Sequence, residues 1–240
     1  MTLGQLELRV FQRLDQAGAR PGYYTGTEIR AALDAAQHVF VLLTLCLERT
    51  APLALTANQV FYQMLTVAGF SDWLLPLRAR VAGAGGKKLD YSRLSDFDAL
   101  KLDWQQTNGT PERYAHLGFE LLAIDRQPAA GGVSLDLTFA YCPLKLTSPA
   151  QAPEIPAEHH PSLIDYAIPA LRAKEGGAEF ASSLQFFERF LEEAKKLADF
   201  VRARNQAAGY DRFPFELGSY DRSKLIVAMK NGGQGRSSSG

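Results

Sequence analysis

The stretch from Pro153 to Asn205 constrains the fold of this chain more than any other. Pro153, Pro156 and Pro161 lead into two apolar-periodic segments joined at Gly176-Gly177. The first reads Ser162-Leu-Ile-Asp-Tyr-Ala-Ile-Pro-Ala-Leu-Arg-Ala-Lys174. In the second, from Ala178 to Asn205, Leu184, Phe187, Leu191, Ala194, Ala198 and Val201 recur at steps of three and four. That spacing draws one stripe along a helix. Glu188, Arg189, Glu192, Glu193, Lys195 and Lys196 flank it, so the stripe is apolar on one side only and must be buried against a partner. The spacing predicts a long helical hairpin as the spine of the molecule.

The N-terminal region supplies that partner. Leu3, Leu6, Val10 and Leu14, with Leu8 and Phe11 widening the stripe, predict an amphipathic helix over residues 3–17, ended by Gly18 and Pro21-Gly22. Thr25-Gly-Thr-Glu28 fits a capping box, in which the hydroxyl caps the backbone and the carboxylate reaches back. The helix it opens carries Ile29, Leu33, Ala36, Phe40, Leu43 and Leu47 as its stripe. Val39, Leu42 and Cys46 make its second half apolar nearly all round, which predicts a central helix buried on several sides.

From Ala51 the character changes. Glycines and prolines cut the chain into short pieces, and the strand candidates are Val60 to Val67, Leu74 to Val81, Tyr114 to Ile124 and Val133 to Tyr141. The last alternates Val133, Leu135, Leu137, Phe139 and Tyr141 against Ser134, Asp136, Thr138 and Ala140, the mark of a half-buried strand. Tyr91 to Trp104 reads as a short helix or turn with apolar anchors. The order helices, strands, helices predicts an α+β fold rather than a doubly wound sheet. Residues 1–50 and 147–208 form the expected helical bundle, 51–146 a β-rich insertion, and 209–240 an extended C-terminal arm and tail.

Charge and cysteine content narrow the function classes. Lys plus Arg (26) balance Asp plus Glu (26), so no overall field attracts nucleic acid or an anionic membrane. Cys46 and Cys142 are too few for a disulfide framework and too isolated for a metal site, and two buried thiols in a reducing compartment are expected. The longest apolar stretch, Val39 to Leu47, is interrupted by Thr44 and falls short of the ~20 residues a bilayer requires. The N-terminus lacks a basic region followed by an apolar run, so no signal peptide is read and synthesis in the cytosol is expected.

No constellation of catalytic residues emerges. Gly83-Ala-Gly-Gly-Lys-Lys88 lacks the phosphate-loop spacing and its Ser or Thr, and is read as a hairpin loop. Glu158-His159-His160 has no second cluster of ligands nearby, and His38 and His116 sit in other segments, so the histidines are read as surface or capping residues. Asp96, Asp98 and Asp103 are read as solvated loop residues. Trp73 and Trp104 are read as core or interface anchors. No nucleophile elbow, Cys/His signature or dinucleotide fingerprint occurs. The expected inventory is therefore no catalytic residue, no metal and no cofactor.

After the hairpin come Tyr210, Phe213, Pro214, Phe215 and Tyr220, without helical or strand period, then an apolar run, Leu225 to Met229, that includes Ile226. Such a segment either folds back on its own bundle or acts as an arm whose aromatic residues fill pockets on a neighbour. Tyr210, Phe213, Pro214, Phe215, Tyr220, Leu225 and Ile226 are its candidate docking residues. The Gly/Ser/Arg tail, Asn231 to Gly240, is expected to be disordered in an isolated monomer.

The linear order resembles the head-to-tail connector adaptors of tailed bacteriophages, the tail-tubular type of ring that docks beneath the portal. Leu6 to Leu14 followed by Tyr24-Thr-Gly-Thr-Glu-Ile29 is similar to the opening of those proteins. Gly109, Pro111 and Tyr114 occupy a G-x-P-x-x-Y step into a strand, and a later strand closes at Tyr141-Cys-Pro143. Pro153-Glu-Ile-Pro156 with His160-Pro-Ser-Leu-Ile-Asp-Tyr-Ala167 resembles the family's passage into its final hairpin. Ala152 stands where the family usually has Asp, and Asp34 where it usually has Asn.

The resemblance implies a non-enzymatic virion protein of the phage neck, assembled in the host cytoplasm into a homo-oligomeric ring, a dodecamer. DNA would pass through the lumen without specific binding. The C-terminal arm would reach the portal protein, and a downstream tail or nozzle protein would attach below, with no membrane involved. A stopper or tail-completion ring one tier lower is the neighbouring alternative, and a small enzyme with an unrecognised acidic site is the alternative from another class.

Overall fold

The computed structural model describes residues 1–16, 22–83, 86–129 and 132–210. The fold is α+β, with five α-helices and seven strands among the described residues. The chain forms two compact units. One comprises Met1–Cys46 and Pro143–Val201; the other comprises Leu47–Cys142 and the described residues from Arg202 onward.

The first unit is helical: α1 (Leu3–Gln16), α2 (Gly26–Thr44), α4 (His160–Arg172) and most of α5 (Gly177–Ala207). α1 buries Leu3, Leu6, Val10 and Leu14. The capping box that opens α2 is present, with the Thr25 hydroxyl accepting from the Glu28 N–H (3.2 Å) and the Glu28 carboxylate accepting from the Thr25 N–H (2.9 Å). On α5 the whole expected stripe, Leu184 to Val201, is buried, and Phe190 joins it.

The second half of α2 differs from expectation. Leu42 is 41% exposed and Val39 only partly covered, so the helix is one-sided throughout. It also stops at Thr44, whose hydroxyl donates back to Phe40 O (2.8 Å), and Leu45 turns left-handed at φ 51°. Leu47 is buried in the other unit rather than on the α2 stripe.

A segment without regular structure, Pro143 to Pro156, returns the chain to the helices, and polar groups of α1 and α2 hold it. Gln37, fully buried in mid-helix, donates to Leu144 O (3.1 Å) and accepts from the Glu154 N–H (2.8 Å). Asp34 accepts from the Leu146 N–H (2.8 Å). At the start of α1, the Leu3 and Gly4 N–H groups have no partner within the helix and donate instead to Gln151 O (2.7 Å) and Pro149 O (2.9 Å). A Cβ on Gly4 would lie 3.3 Å from Pro149 O, so a side chain there would crowd the crossing.

The second unit holds two sheets. Three antiparallel strands, β1 (Glu48–Ala54), β3 (Trp73–Val81) and β7 (Ser134–Tyr141), stand in the order β1-β7-β3. Four strands, β2 (Phe61–Gln63), β4 (Asp90–Tyr91), β5 (Arg113–Leu117) and β6 (Leu121–Ile124), stand in the order β2-β6-β5-β4. Residues of both sheets share one core, centred on Phe70, Trp73, Phe139, Tyr114, Leu122 and Leu137, with Phe70 and Trp73 each about 5 Å from the Phe139 ring.

Several strand expectations are corrected here. Val60 to Val67 yields only β2 and a single 3-10 turn, Met64–Thr66. Tyr114 to Ile124 is a hairpin rather than one strand, because Gly118 at φ 60° folds the chain back on itself. The short helix or turn expected over Tyr91 to Trp104 is present as helix α3 (Leu94–Leu100) and a 3-10 turn at Trp104–Gln106, with β4 just before them. β1 is a strand that the sequence pattern does not predict, since Pro52 reads as a breaker. As an edge strand β1 tolerates the missing donor and pairs with β7 along its full length. Pro76 lies on the opposite edge, at a register shift between Pro76 and Arg78.

Candidate interaction surfaces

The expected docking arm departs from the end of α5. Gly209 adopts φ 68°, its N–H donates to Gln206 O (3.1 Å), and the Tyr210 N–H donates to Asn205 O (2.9 Å). Those two bonds form a Schellman stop, which fixes where the helix ends. Lys88 Nζ donates to Gly209 O (2.8 Å). Tyr210 is half-buried; Phe213, Pro214, Phe215, Tyr220, Leu225 and Ile226 lie outside the described residues, as does the tail.

On the helical unit an apolar groove of about 430 Å³ opens between α2, α4 and α5, lined by Val39, Tyr166, Pro169, Ala173, Phe180 and Phe187. Burial pushes the Tyr166 phenol pKa up, and its hydroxyl makes no hydrogen bond among the described residues. Nearby, the corner between α4 and α5 is tied to the start of α2. Lys174 Nζ lies 2.8 Å from the Glu28 carboxylate and 4.7 Å from the centre of the Tyr23 ring, and the Tyr24 hydroxyl donates to Glu175. Hydrogen bonds from Lys174 and Thr25 hold Glu28 down to about 2, and burial with the Glu175 contact raises Tyr24.

In the second unit a pocket of about 440 Å³ has Phe97 and Trp104 as its floor, 5.0 Å apart and edge to face. Leu100 forms a lip, and Lys101, Glu112, Arg113 and Arg126 form the rim. Arg126 pairs with Glu112 at 2.9 Å, and Lys101 Nζ donates to the Thr107 hydroxyl at 2.8 Å. The Asp125 carboxylate accepts from the Glu112 and Arg113 N–H groups (2.9 and 3.0 Å). The Arg113 guanidinium has no ion-pair partner among the described residues.

The side chains weighed as chemical groups take structural positions. His160 is a correction: rather than lying at the surface it is 3% exposed, with Nε2 at 3.0 Å from Ile155 O and Nδ1 at 2.8 Å from the Met1 amine. His116 is partly buried, and burial lowers its pKa. Asp96 accepts from the Arg93 N–H at the start of α3, Asp98 accepts from Trp104 Nε1 (2.8 Å), and Asp103 pairs with Lys101 (3.6 Å). Trp73 and Trp104 are both 3% exposed, so both anchor the core. Cys46 and Cys142 form no disulfide with each other and are only partly buried, not fully as expected; burial and nearby Asp72 raise the Cys142 pKa. Among the described residues no three His, Cys, Asp or Glu side chains converge as metal ligands, and no helix is long and apolar enough to cross a membrane.

Sequence reasoning missed both the groove and the pocket. The groove joins α2 to segments more than a hundred residues on, and the pocket is closed by turns whose packing has no local period; of their linings, Phe187 on the α5 stripe and Trp104 had a sequence signal. No curated protein matches this chain. The family model described as SU10 adaptor protein matches residues 1–212, taking in every element described above and ending just before Phe213. The chain therefore belongs to the SU10 adaptor protein family, structural adaptors of the phage virion that join other virion proteins.

Proposed function

We propose that this protein is the portal-docking adaptor of a phage neck. Copies of the chain assemble as a ring, in the family's expected form a dodecamer. The ring sits under the portal protein, DNA passes through its lumen without specific binding, and a downstream tail or nozzle protein attaches below. The protein assembles in the host cytoplasm and performs no chemistry of its own. Family membership over residues 1–212 is the observation that carries this reading.

Two features of the molecule support it. The groove at Tyr166 is an apolar hollow, and the pocket at Trp104 has an aromatic floor beneath a charged rim; both are forms of surface that receive side chains of another chain. The equal number of acidic and basic residues suits a conduit, because every fixed cation–phosphate contact adds salt-sensitive binding to DNA. The test is native mass spectrometry and electron microscopy of the full chain with the portal protein of its own phage. A closed ring of this chain on the portal is expected; recovery of the chain only as unattached monomers overturns the reading.

A further inference from the structure

The four-stranded sheet carries two unlike, exposed surfaces at its opposite ends, and their chemistry is complementary. At one end the β5–β6 turn presents Phe119, 54% exposed, beside Leu65, 41% exposed, on the 3-10 turn whose Met64 N–H donates to Glu120 O. Glu120 lies at the same tip, its carboxylate bonded to the neutral Gln63 amide (2.7 Å) and without a cation among the described residues. At the other end lies the pocket floored by Phe97 and Trp104. Leu100 (61% exposed) stands at its lip, Leu102 (93% exposed) follows just beyond the end of α3, and Arg113, without an ion-pair partner among the described residues, stands on its rim.

Arg113 and Leu117 bound β5, so tip and pocket are separated by about 13 Å of strand at 3.3 Å per residue. A hairpin cannot bend its own turn into a pocket at its own base. The tip can enter only the pocket of a second copy, and in a ring that copy's tip is left free for a third. A contact between two different surfaces of identical chains is heterologous and propagates head to tail, closing into a ring when the rotation per step permits. Leu100 and Leu102, both exposed and two residues apart, extend the apolar surface beside the pocket.

We infer that the β5–β6 tip of one copy docks in the Phe97–Trp104 pocket of the next. Phe119 lies on the aromatic floor against Leu100 and Leu102, and Glu120 pairs with Arg113. About 440 Å³ is ample for one aromatic side chain. The inference rests on the ring reading above and adds to it the pair of surfaces through which neighbours meet.

The test uses the full chain, alone and assembled on its portal. In the first arm, Phe119→Cys and Leu100→Cys are combined in one chain. Oxidation is expected to give a ladder of disulfide-linked multimers that either single variant lacks. In the second arm, Arg113→Glu and Glu120→Arg are each expected to abolish assembly while circular dichroism stays unchanged, and the double variant is expected to restore it. Rings that form without the ladder, together with charge variants that assemble like the parent, overturn this contact and leave the ring reading standing. Absence of any multimer of the parent chain, alone or on the portal, overturns the ring reading and this contact with it.

Discussion

Gln37 is the residue on which the helical unit turns. It lies on the buried face of α2, and its amide holds the returning segment twice, at Leu144 O and at the Glu154 N–H. Replacement by Leu keeps the volume but removes both bonds to partly buried backbone groups, so Gln37→Leu should cost about 1–2 kcal/mol, read as a lower urea midpoint. In the sequence Gln37 is only a polar interruption in an apolar stripe, and nothing in the spacing tells its partners, which lie over a hundred residues away. The Asp34 contact with the Leu146 N–H uses only an acceptor oxygen, which an Asn side chain also carries. Glu28 gives a prediction in pH. Its folded pKa of about 2 lies below the ordinary 4.5, so the unfolded chain binds the proton more readily. The stability it lends is fully present above pH 4.5 and is lost as pH falls through about 2. Thermal unfolding followed across that window should show a smaller decline in Glu28→Gln than in the parent chain.

At the level of elements, the helices are the legible part, because a period of three to four survives in a single segment and needs no partner to be seen. The α1, α4 and α5 stripes and the α2 capping box can all be read this way. Helix ends depend on local turn chemistry instead. The Schellman stop at Gly209 is an instance: its φ is 68° and a Cβ there would meet nothing within 4 Å, so only backbone strain opposes substitution. Gly209→Ala should therefore cost about 1 kcal/mol in thermal unfolding without altering the fold, since alanine is disfavoured at positive φ. Strands are less legible. Pro52 looks like a breaker until β1 is known to be an edge, and Gly118 looks like a weak point in one strand until β5 is known to pair with β6. Both are facts about a neighbouring strand, which no local window contains.

In the molecule as a whole, the proposed docking role of the segment beyond α5 is testable by truncation. Deletion of residues 211–240 keeps Gly209 and Tyr210, and with them the helix stop. The truncated chain should retain its helical circular dichroism and its unfolding midpoint but should no longer co-purify with the portal; undiminished co-purification would sink the arm's docking role. The double variant Phe213→Ala, Phe215→Ala should weaken the same association by about 2–4 kcal/mol if both rings fill pockets, as measured by titration of portal. The order of residues alone settles the class of fold, the helical hairpin with its buried stripe, the capped start of α2 and the resemblance to phage adaptors. All of these rest on patterns within single segments. The edge position of β1, the partners of Gln37 and His160, the groove at Tyr166, and the placement of Phe119 and the Trp104 pocket at opposite ends of one sheet emerge only on folding. The physical reason is that packing and hydrogen-bond partnership join residues distant in the chain, and their pairing depends on the register and burial that only the folded molecule sets.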